Sequence, residues 1–568
     1  MPPCVLFEDD HLLVVSKPAG LNTHAPSPYA GEGLYDWLRH REERWAKLAI
    51  VQRLDKDTSG VMVFAKSPLA NRSLTAQFTD HSVRKKYLLV TDRPVRETQI
   101  KVESTVVRVG EKYVSRPLHA GGQRAETHFR LIEGSPKPEG PRGAGEARRY
   151  EVVEAEPLTG RTHQIRVHAA AEGFPILGDT IYGGTAAQRV FLHAAELTLR
   201  HPASGEEMTF RAPLAQDQES GSTAEPAKAS DGLRWLTGPL PCLPLREGLI
   251  EPTSTNAYRV IHGASDKWPG WYVERLGDFL LSQSERELQP AQREELARLA
   301  QSFATHGAYH KILTRQVRRA APAAASPQPV LGEPAPERFT IRENDVQFER
   351  SFAEGYSVGL FLDQRDNRRR LLTGHVGAGF PLIPGPPELP IADRKWQILN
   401  TFAYTCGFSV CAAKAGARTT SLDLSKKCLD WGRRNFALNH LDTTGHDFLY
   451  GDAFDWLRRL ARKQRLYDVV LLDPPTFSQS KESGVFRADK DYDRLVTAAL
   501  PLLKSGGVLF ASTNMADWPP ESFLATVTEA ILGTNRTIRQ QHYAPQPPDF
   551  PISRTEPAYL KTVWLRVE

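Results

Sequence analysis

The chain has 568 residues, 40% of them hydrophobic and 24% charged, and a formal net charge of +5. This length exceeds one ordinary core and predicts about three domains of a soluble globular protein. The slight basic excess permits a polyanionic partner without demanding one. Five cysteines, in no paired or metal-type spacing, argue against structural zinc and for a reducing cytoplasm. The start, MPPCVLFEDD, lacks the features of a signal peptide. No apolar run approaches the roughly eighteen residues of a membrane span. A cytoplasmic location is therefore expected.

Residues 1–213 carry short apolar runs, such as Val5 to Phe7, Leu12 to Val15 and Val61 to Phe64, between Asp, Gly and Pro turn signals. That pattern predicts a mainly antiparallel mixed sheet with a few helices. Residues 214–245 lack large apolar side chains around QDQESGSTAEPAKAS and read as a flexible linker. Residues 246–338 form a small α+β region with strand-like runs at Ala257 to Ile261 and Phe279 to Ser282. A helical stretch follows near 290–305, and then a second linker, AAPAAASPQP, from Ala320. From 339 to 568, apolar runs at 397–399, 420–422, 468–472 and 507–511 alternate with helical periodicity, as in a parallel sheet with crossover helices. The insertion GAGFPLIPGPPELP before the first of these strands is expected to be a surface loop.

In the first region, residues 51–60 read VQRLDKDTSG, residues 83–90 read VRKKYLLV, and residues 159–168 read TGRTHQIRVH. GFPILGDTIYGG and FLHAAELTL follow. Together these segments resemble the RluA-type pseudouridine synthases in identity and order. The resemblance implies that Asp55 is the carboxylate acting at the ribose, that Tyr87 stacks on the target base, and that Arg166 pairs with Asp55. Such chemistry needs a carboxylate kept ionised by a cation, and neither metal nor organic cofactor. Thr58, Ser59 and Gly60 are expected to form the turn that exposes Asp55. Arg53, Lys86 and His163 are candidate RNA contacts, with Arg84 and Lys85 beside them. Gln52 stands where the family usually has His. The chain begins at the catalytic fold, so the small N-terminal RNA-binding domain of many relatives is not expected.

In the last region, a strand runs into NTFAYTCGFSV, another ends SLDLS, a third leads into GDAFDWL and a fourth ends DPPTFSQSK. GLFLDQRDNR precedes them at 359–368. In a doubly wound fold, a nucleotide-like cofactor lies across the carboxyl ends of such strands. These strings resemble the RlmI/RlmK-type ribosomal RNA methyltransferases, with a class I, Rossmann-like domain that binds S-adenosylmethionine (SAM). The resemblance implies that Tyr404 and Gly407 shape the cofactor turn, and that Asp423 accepts from the ribose hydroxyls. Asp452 is expected at the adenine amine, and Gln364, Arg365 and Asp473 near the cofactor. Pro474, Pro475 and Asn514 would line the target-base pocket. Cys406 replaces the usual Gly of the first turn. Methylation at cytosine carbon 5 needs a cysteine nucleophile, and GGVLFASTNMADWP has no thiol where such relatives carry it. Guanine ring nitrogen 7, the RlmK-like outcome, is favoured.

The sequence thus predicts a multidomain, bifunctional RNA-modifying enzyme. Ribosomal RNA is the favoured partner, with transfer RNA open for the first half and no obligate protein partner evident. A single-activity enzyme whose other half only binds RNA, and a non-catalytic ribosome-assembly factor, are the alternatives.

Overall fold

The computed structural model describes all residues except 133–149, 214–242, 314–325, 356, 386–388, 481, 483 and 554. The chain divides into two compact units. One contains Met1–His24, Gly33–Tyr35 and Lys47–Glu251; the other contains Ala25–Glu32, Asp36–Ala46 and Pro252–Glu568.

The first unit is built on an eleven-stranded sheet, counted among the described residues. An interior strand, Ser59–Ala65, is buried along its whole length, as the unbroken apolar run from Val61 requires when both faces are covered. Leu12–Lys17 pairs with it antiparallel on one side, and Leu192–Arg200 pairs with it parallel on the other. Arg84–Thr91, Glu151–Pro157, Gln123–Leu131 and Gln99–Val109 continue the sheet, all antiparallel. The helix Gln164–Ala171 follows Glu151–Pro157 and buries six of its eight residues.

The expected Thr58–Gly60 turn is displaced by a few residues. Ser59 and Gly60 already belong to the strand, and the turn is closed by the Thr58 N–H donating to the Asp55 carbonyl. Gly60 is required by close approach. Its φ is +118°, and a Cβ there would lie 2.2 Å from the Ala194 carbonyl oxygen of the parallel neighbour.

In the second unit, a seven-stranded sheet carries the cofactor-type topology. Its order is Asp447–Tyr450, Arg418–Asp423, Gln397–Thr401, Tyr467–Leu472, Leu503–Thr513, Lys561–Val567, Ile538–Pro545. The first five strands are parallel, Lys561–Val567 runs antiparallel to them, and Ile538–Pro545 pairs antiparallel with Lys561–Val567 and so shares the direction of the first five. A five-stranded sheet runs from Ala257–His262 to Gln328–Gly332. This small sheet is not a compact unit of its own. Phe279, Tyr309 and Ile341 share one apolar core with Ile398 and Val469, so the region read as a separate middle domain belongs, from Pro252 onward, to the second unit.

Two other expectations change. The first linker lies outside the described residues as far as 242, but its last residues open the helix Leu243–Leu249. The second linker, outside the described residues to 325, ends in the strand Gln328–Gly332, which pairs with Gly307–Ile312. The Pro/Gly-rich insertion is also not wholly superficial, since Phe380, Leu382 and Ile383 are buried.

Replacing Gly60 by Ala forces a backbone clash in this interior strand. The urea transition of the first unit should lose roughly 3 kcal/mol or more. An unchanged transition in the Gly60→Ala chain would contradict the close approach described here.

Candidate active sites

The turn bearing Asp55 is held from below by buried polar groups. The Lys17 ammonium, fully buried, donates to the carbonyls of Pro18, Leu21 and Lys56 at 3.0, 2.7 and 3.1 Å. Burial pulls its pKa down to about 7, against the pull of Asp57 and Asp55. Thr23 Oγ1 donates to the Leu54 carbonyl and accepts from the Leu54 N–H. The backbone on either side of Asp55 is therefore pinned, while its side chain remains 29% exposed.

Above the turn, Arg166 reaches in from the helix Gln164–Ala171. Nε and Nη2 grip both oxygens of Asp179 at 2.6 and 2.9 Å, and Nη1 donates to Asp55 Oδ2 at 3.3 Å. Burial disfavours the charge on Arg166, but Asp179 and Asp55 together raise its pKa above the ordinary value. The guanidinium is thus a permanent cation with one edge spent on orientation and the other on Asp55. Tyr87 faces the same space, and burial, with the Asp55 charge, keeps its hydroxyl protonated. Asp55, Arg53, Tyr87, His163 and Arg166 all line one cavity of about 460 Å³, large enough to admit a single nucleoside.

Lys86 is not in this cavity. Successive strand residues face opposite sides, so Lys85 joins Tyr87 at the cavity while Lys86 lies 3.6 Å from Glu196. Arg84 pairs with Glu207 on the surface. Gln52 lines the cavity, with its amide nitrogen buried and unpartnered. Asp179 and Tyr182 were not singled out from sequence; their signal was the GDTIYGG string.

The second cleft, about 280 Å³, opens at the carboxyl ends of the parallel strands. Asp363, Asp423 and Asp473 line it, and among the described residues no Lys or Arg lines it. Burial raises the pKa of all three carboxyls, Asp473 to about 6. Asp423 accepts the N–H groups of Tyr404 and Ser425 at 2.7 and 2.8 Å. Gln364 Nε2 donates to Ser512 at 2.9 Å and lies 3.4 Å from both Asp473 oxygens. Phe402, Leu422 and Leu424 add apolar wall. A cleft lined by half-buried carboxylates, with no Lys or Arg side chain among its described lining residues, fits a cationic ligand with a flat aromatic end.

Tyr404, Pro474, Pro475 and Asn514 line this cleft as expected from their strings. Three expected cofactor residues do not. Arg365 is buried against Asp549, which its guanidinium grips at 2.8 and 2.6 Å. Asp452 caps the helix Ala453–Arg462 through the Asp455 N–H, and the wall there is made by Gly451 and Ala453. Gly407 is small because Leu360 packs against it, where a Cβ would lie 2.7 Å from Leu360 Cδ1. Cys406 takes the left-handed backbone conformation at φ +62°. Its side chain is buried against Gly432, and burial raises its thiol to about 12.

Among the described residues, no helix is long and apolar enough to cross a membrane. The RNA pseudouridylate synthase family matches residues 11–171, and the S-adenosylmethionine-dependent methyltransferase family matches residues 258–566. A ribosomal RNA large subunit methyltransferase of Deinococcus radiodurans is 32% identical over 322 residues, covering 55% of this chain and 73% of the relative. A ribosomal RNA large subunit methyltransferase I of Escherichia coli is 30% identical over 331 residues, covering 57% and 77%. A ribosomal large subunit pseudouridine synthase D of Zymomonas mobilis is 34% identical over 238 residues, covering 39% and 71%. The chain belongs to both families, joining a pseudouridine synthase and a SAM-dependent methyltransferase in one polypeptide.

Proposed function

We propose that the chain modifies large-subunit ribosomal RNA twice, isomerising a uridine at the first site and methylating a base at the second. The observation that carries the first activity is the open cavity in which a single carboxylate, Asp55, meets a guanidinium already oriented by Asp179. In this reading a uridine leaves its stack and enters that cavity. Asp55 acts at the ribose as nucleophile or base, Arg166 holds it by donating to Oδ2, and Tyr87 stacks on the uracil. Arg53 and His163 sit at the same cavity, where they can meet the backbone and sugar. The substrate assignment rests on the relatives, whose names place them on the large ribosomal subunit.

For the second activity, Asp423 is assigned to the ribose hydroxyls of SAM and Asp473 to its α-ammonium, with Gln364 holding Asp473. When bound, SAM supplies an electrophilic methyl group. Pro474, Pro475 and Asn514 shape the space for the acceptor base. The favoured acceptor is guanine ring nitrogen 7. Among the described residues no cysteine lines the cleft, and Cys406 and Cys411 are buried with their pKa raised by burial. A ring nitrogen with its own lone pair needs only positioning and desolvation, whereas carbon 5 of cytosine needs a thiolate.

Nucleoside analysis of ribosomal RNA treated with variant chains separates the two activities. Asp55→Ala should lower pseudouridine formation by about a thousandfold or more while leaving methylation intact. Asp423→Ala should do the reverse, and the methylated product should be 7-methylguanosine. Both variants retaining both activities would overturn the assignment, and 5-methylcytidine as product would overturn the acceptor atom.

The Asp473 carboxyl, raised to about 6, gives a second check. Above that pH it is ionised and can accept a cationic ammonium; below it the charge is lost. Affinity for SAM, measured by calorimetry, should fall about tenfold between pH 7.5 and pH 5. Asp473→Asn should bind more weakly at pH 7.5 and show a flatter pH dependence. An undiminished dependence in that variant would remove Asp473 from the ammonium site.

A further inference from the structure

His163 is held in an unusual way for a residue at the start of a helix. It caps Gln164–Ala171 from the left-handed region, φ +57°, and its side chain makes no capping hydrogen bond. That conformation is sparsely populated by residues other than glycine and persists only when surrounding contacts hold it. Here it brings the imidazole to the cavity wall. Nδ1 lies 2.7 Å from the Tyr182 hydroxyl, and Nε2 lies 3.7 Å from Asp55 Oδ2.

The hydrogen bonding assigns the tautomer. The Tyr182 oxygen already accepts the Tyr113 N–H at 3.2 Å, and burial keeps its hydroxyl protonated. The Asp55 carboxylate, which only accepts, faces Nε2, so the ring proton is placed on Nε2 and the Tyr182 proton becomes the donor toward Nδ1. The Tyr113 ring meets the imidazole edge-on at 5.4 Å and limits its rotation.

One short turn supplies both supports. Thr180–Tyr182 directly follows Asp179, so Asp179 orients Arg166 while Tyr182, three residues on, orients His163. The Tyr182 ring also lies 5.1 Å under the Arg166 guanidinium. Arg166 Nη1 and His163 Nε2 then converge on the same Asp55 oxygen, Oδ2. Among the described residues, Oδ1 takes no hydrogen bond.

We propose that Tyr182 and His163 form a positioning relay for the isomerisation. The Tyr182 hydroxyl locks His163 as the Nε2–H tautomer, whose N–H closes on Asp55 Oδ2 when RNA is bound and leaves Oδ1 as the oxygen that meets the ribose. Hydrogen bonds of this kind are often long before substrate arrives. The relay rests on the reading of the first site as the pseudouridine-forming one. The charged groups facing His163 are Asp55, Asp57, Asp179 and Arg166. Burial and Arg166 favour the neutral ring, the three carboxylates oppose this, and the balance lies on the neutral side.

The test uses the full chain and large-subunit ribosomal RNA transcribed with uridine tritiated at carbon 5, with tritium release as the readout. Tyr182→Phe keeps the ring under Arg166 and removes only the hydroxyl. Its kcat should fall about ten- to a hundredfold with KM for RNA unchanged. Loss of the donor to Nδ1 makes the neutral ring less favoured, so the acid limb of the kcat–pH profile should move to higher pH. His163→Gln, which retains an N–H donor, should keep more activity than His163→Ala. A Tyr182→Phe chain with wild-type kcat and pH profile would overturn the relay alone, as would equal losses in the two His163 variants. An unaltered chain that releases no tritium would overturn the reading of the site and the relay with it.

Discussion

The buried pair of Arg166 and Asp179 is the constraint on which the first site depends. An arginine taken out of water is tolerable only when its charge and donors are matched. Asp179 does this with both oxygens, at 2.6 and 2.9 Å, and so fixes the plane of the guanidinium. The remaining edge can point in only one direction, toward Asp55. Lys17 and Thr23 fix the other side by gripping the backbone around the Asp55 turn. The Asp55 carboxylate is thereby placed by polar groups that are themselves buried and have little freedom to move.

The second cleft solves the opposite electrostatic problem. Burial raises the pKa of Asp363, Asp423 and Asp473, outweighing the opposing pull of Arg368 on Asp363 and Asp473, and among the described residues the lining contains no Lys or Arg. Such a site is costly by itself and gains when a cation enters. The arginines that the sequence places beside it are used elsewhere, Arg365 on Asp549 and Arg368 on Glu343. One protein thus carries a carboxylate that is compensated by its own chain, and a group of carboxylates left for a ligand to compensate.

Much of this was legible in the sequence where a string carried both residue type and spacing. Asp55, Tyr87, Arg166 and His163 fall in segments far apart in the chain, and the sheet brings them to one cavity. The alternating pattern from 339 onward gave the parallel sheet. What was missed has identifiable causes. Lys85 and Lys86 are both candidate RNA contacts by residue type, and strand alternation with Tyr87 inward turns only Lys85 to the cavity. Gln364 and Arg365 were both sent to the cofactor, yet adjacent residues at a helix start point about 100° apart. Asp452 opens a helix after a glycine, a capping position, and does that work. Asp179 and Tyr182 lay in a matched string, but their roles depend on which side chains the fold puts opposite them.

The fork of Arg166 serves Asp179 and Asp55 at once. The most direct measurement is pseudouridine formation and methylation by the Arg166→Lys chain on large-subunit ribosomal RNA. Lysine keeps the charge but cannot hold two carboxylates in fixed directions. Isomerisation should be lost while methylation proceeds at the wild-type rate. A lysine variant that isomerises uridine as fast as the unaltered chain would contradict the account.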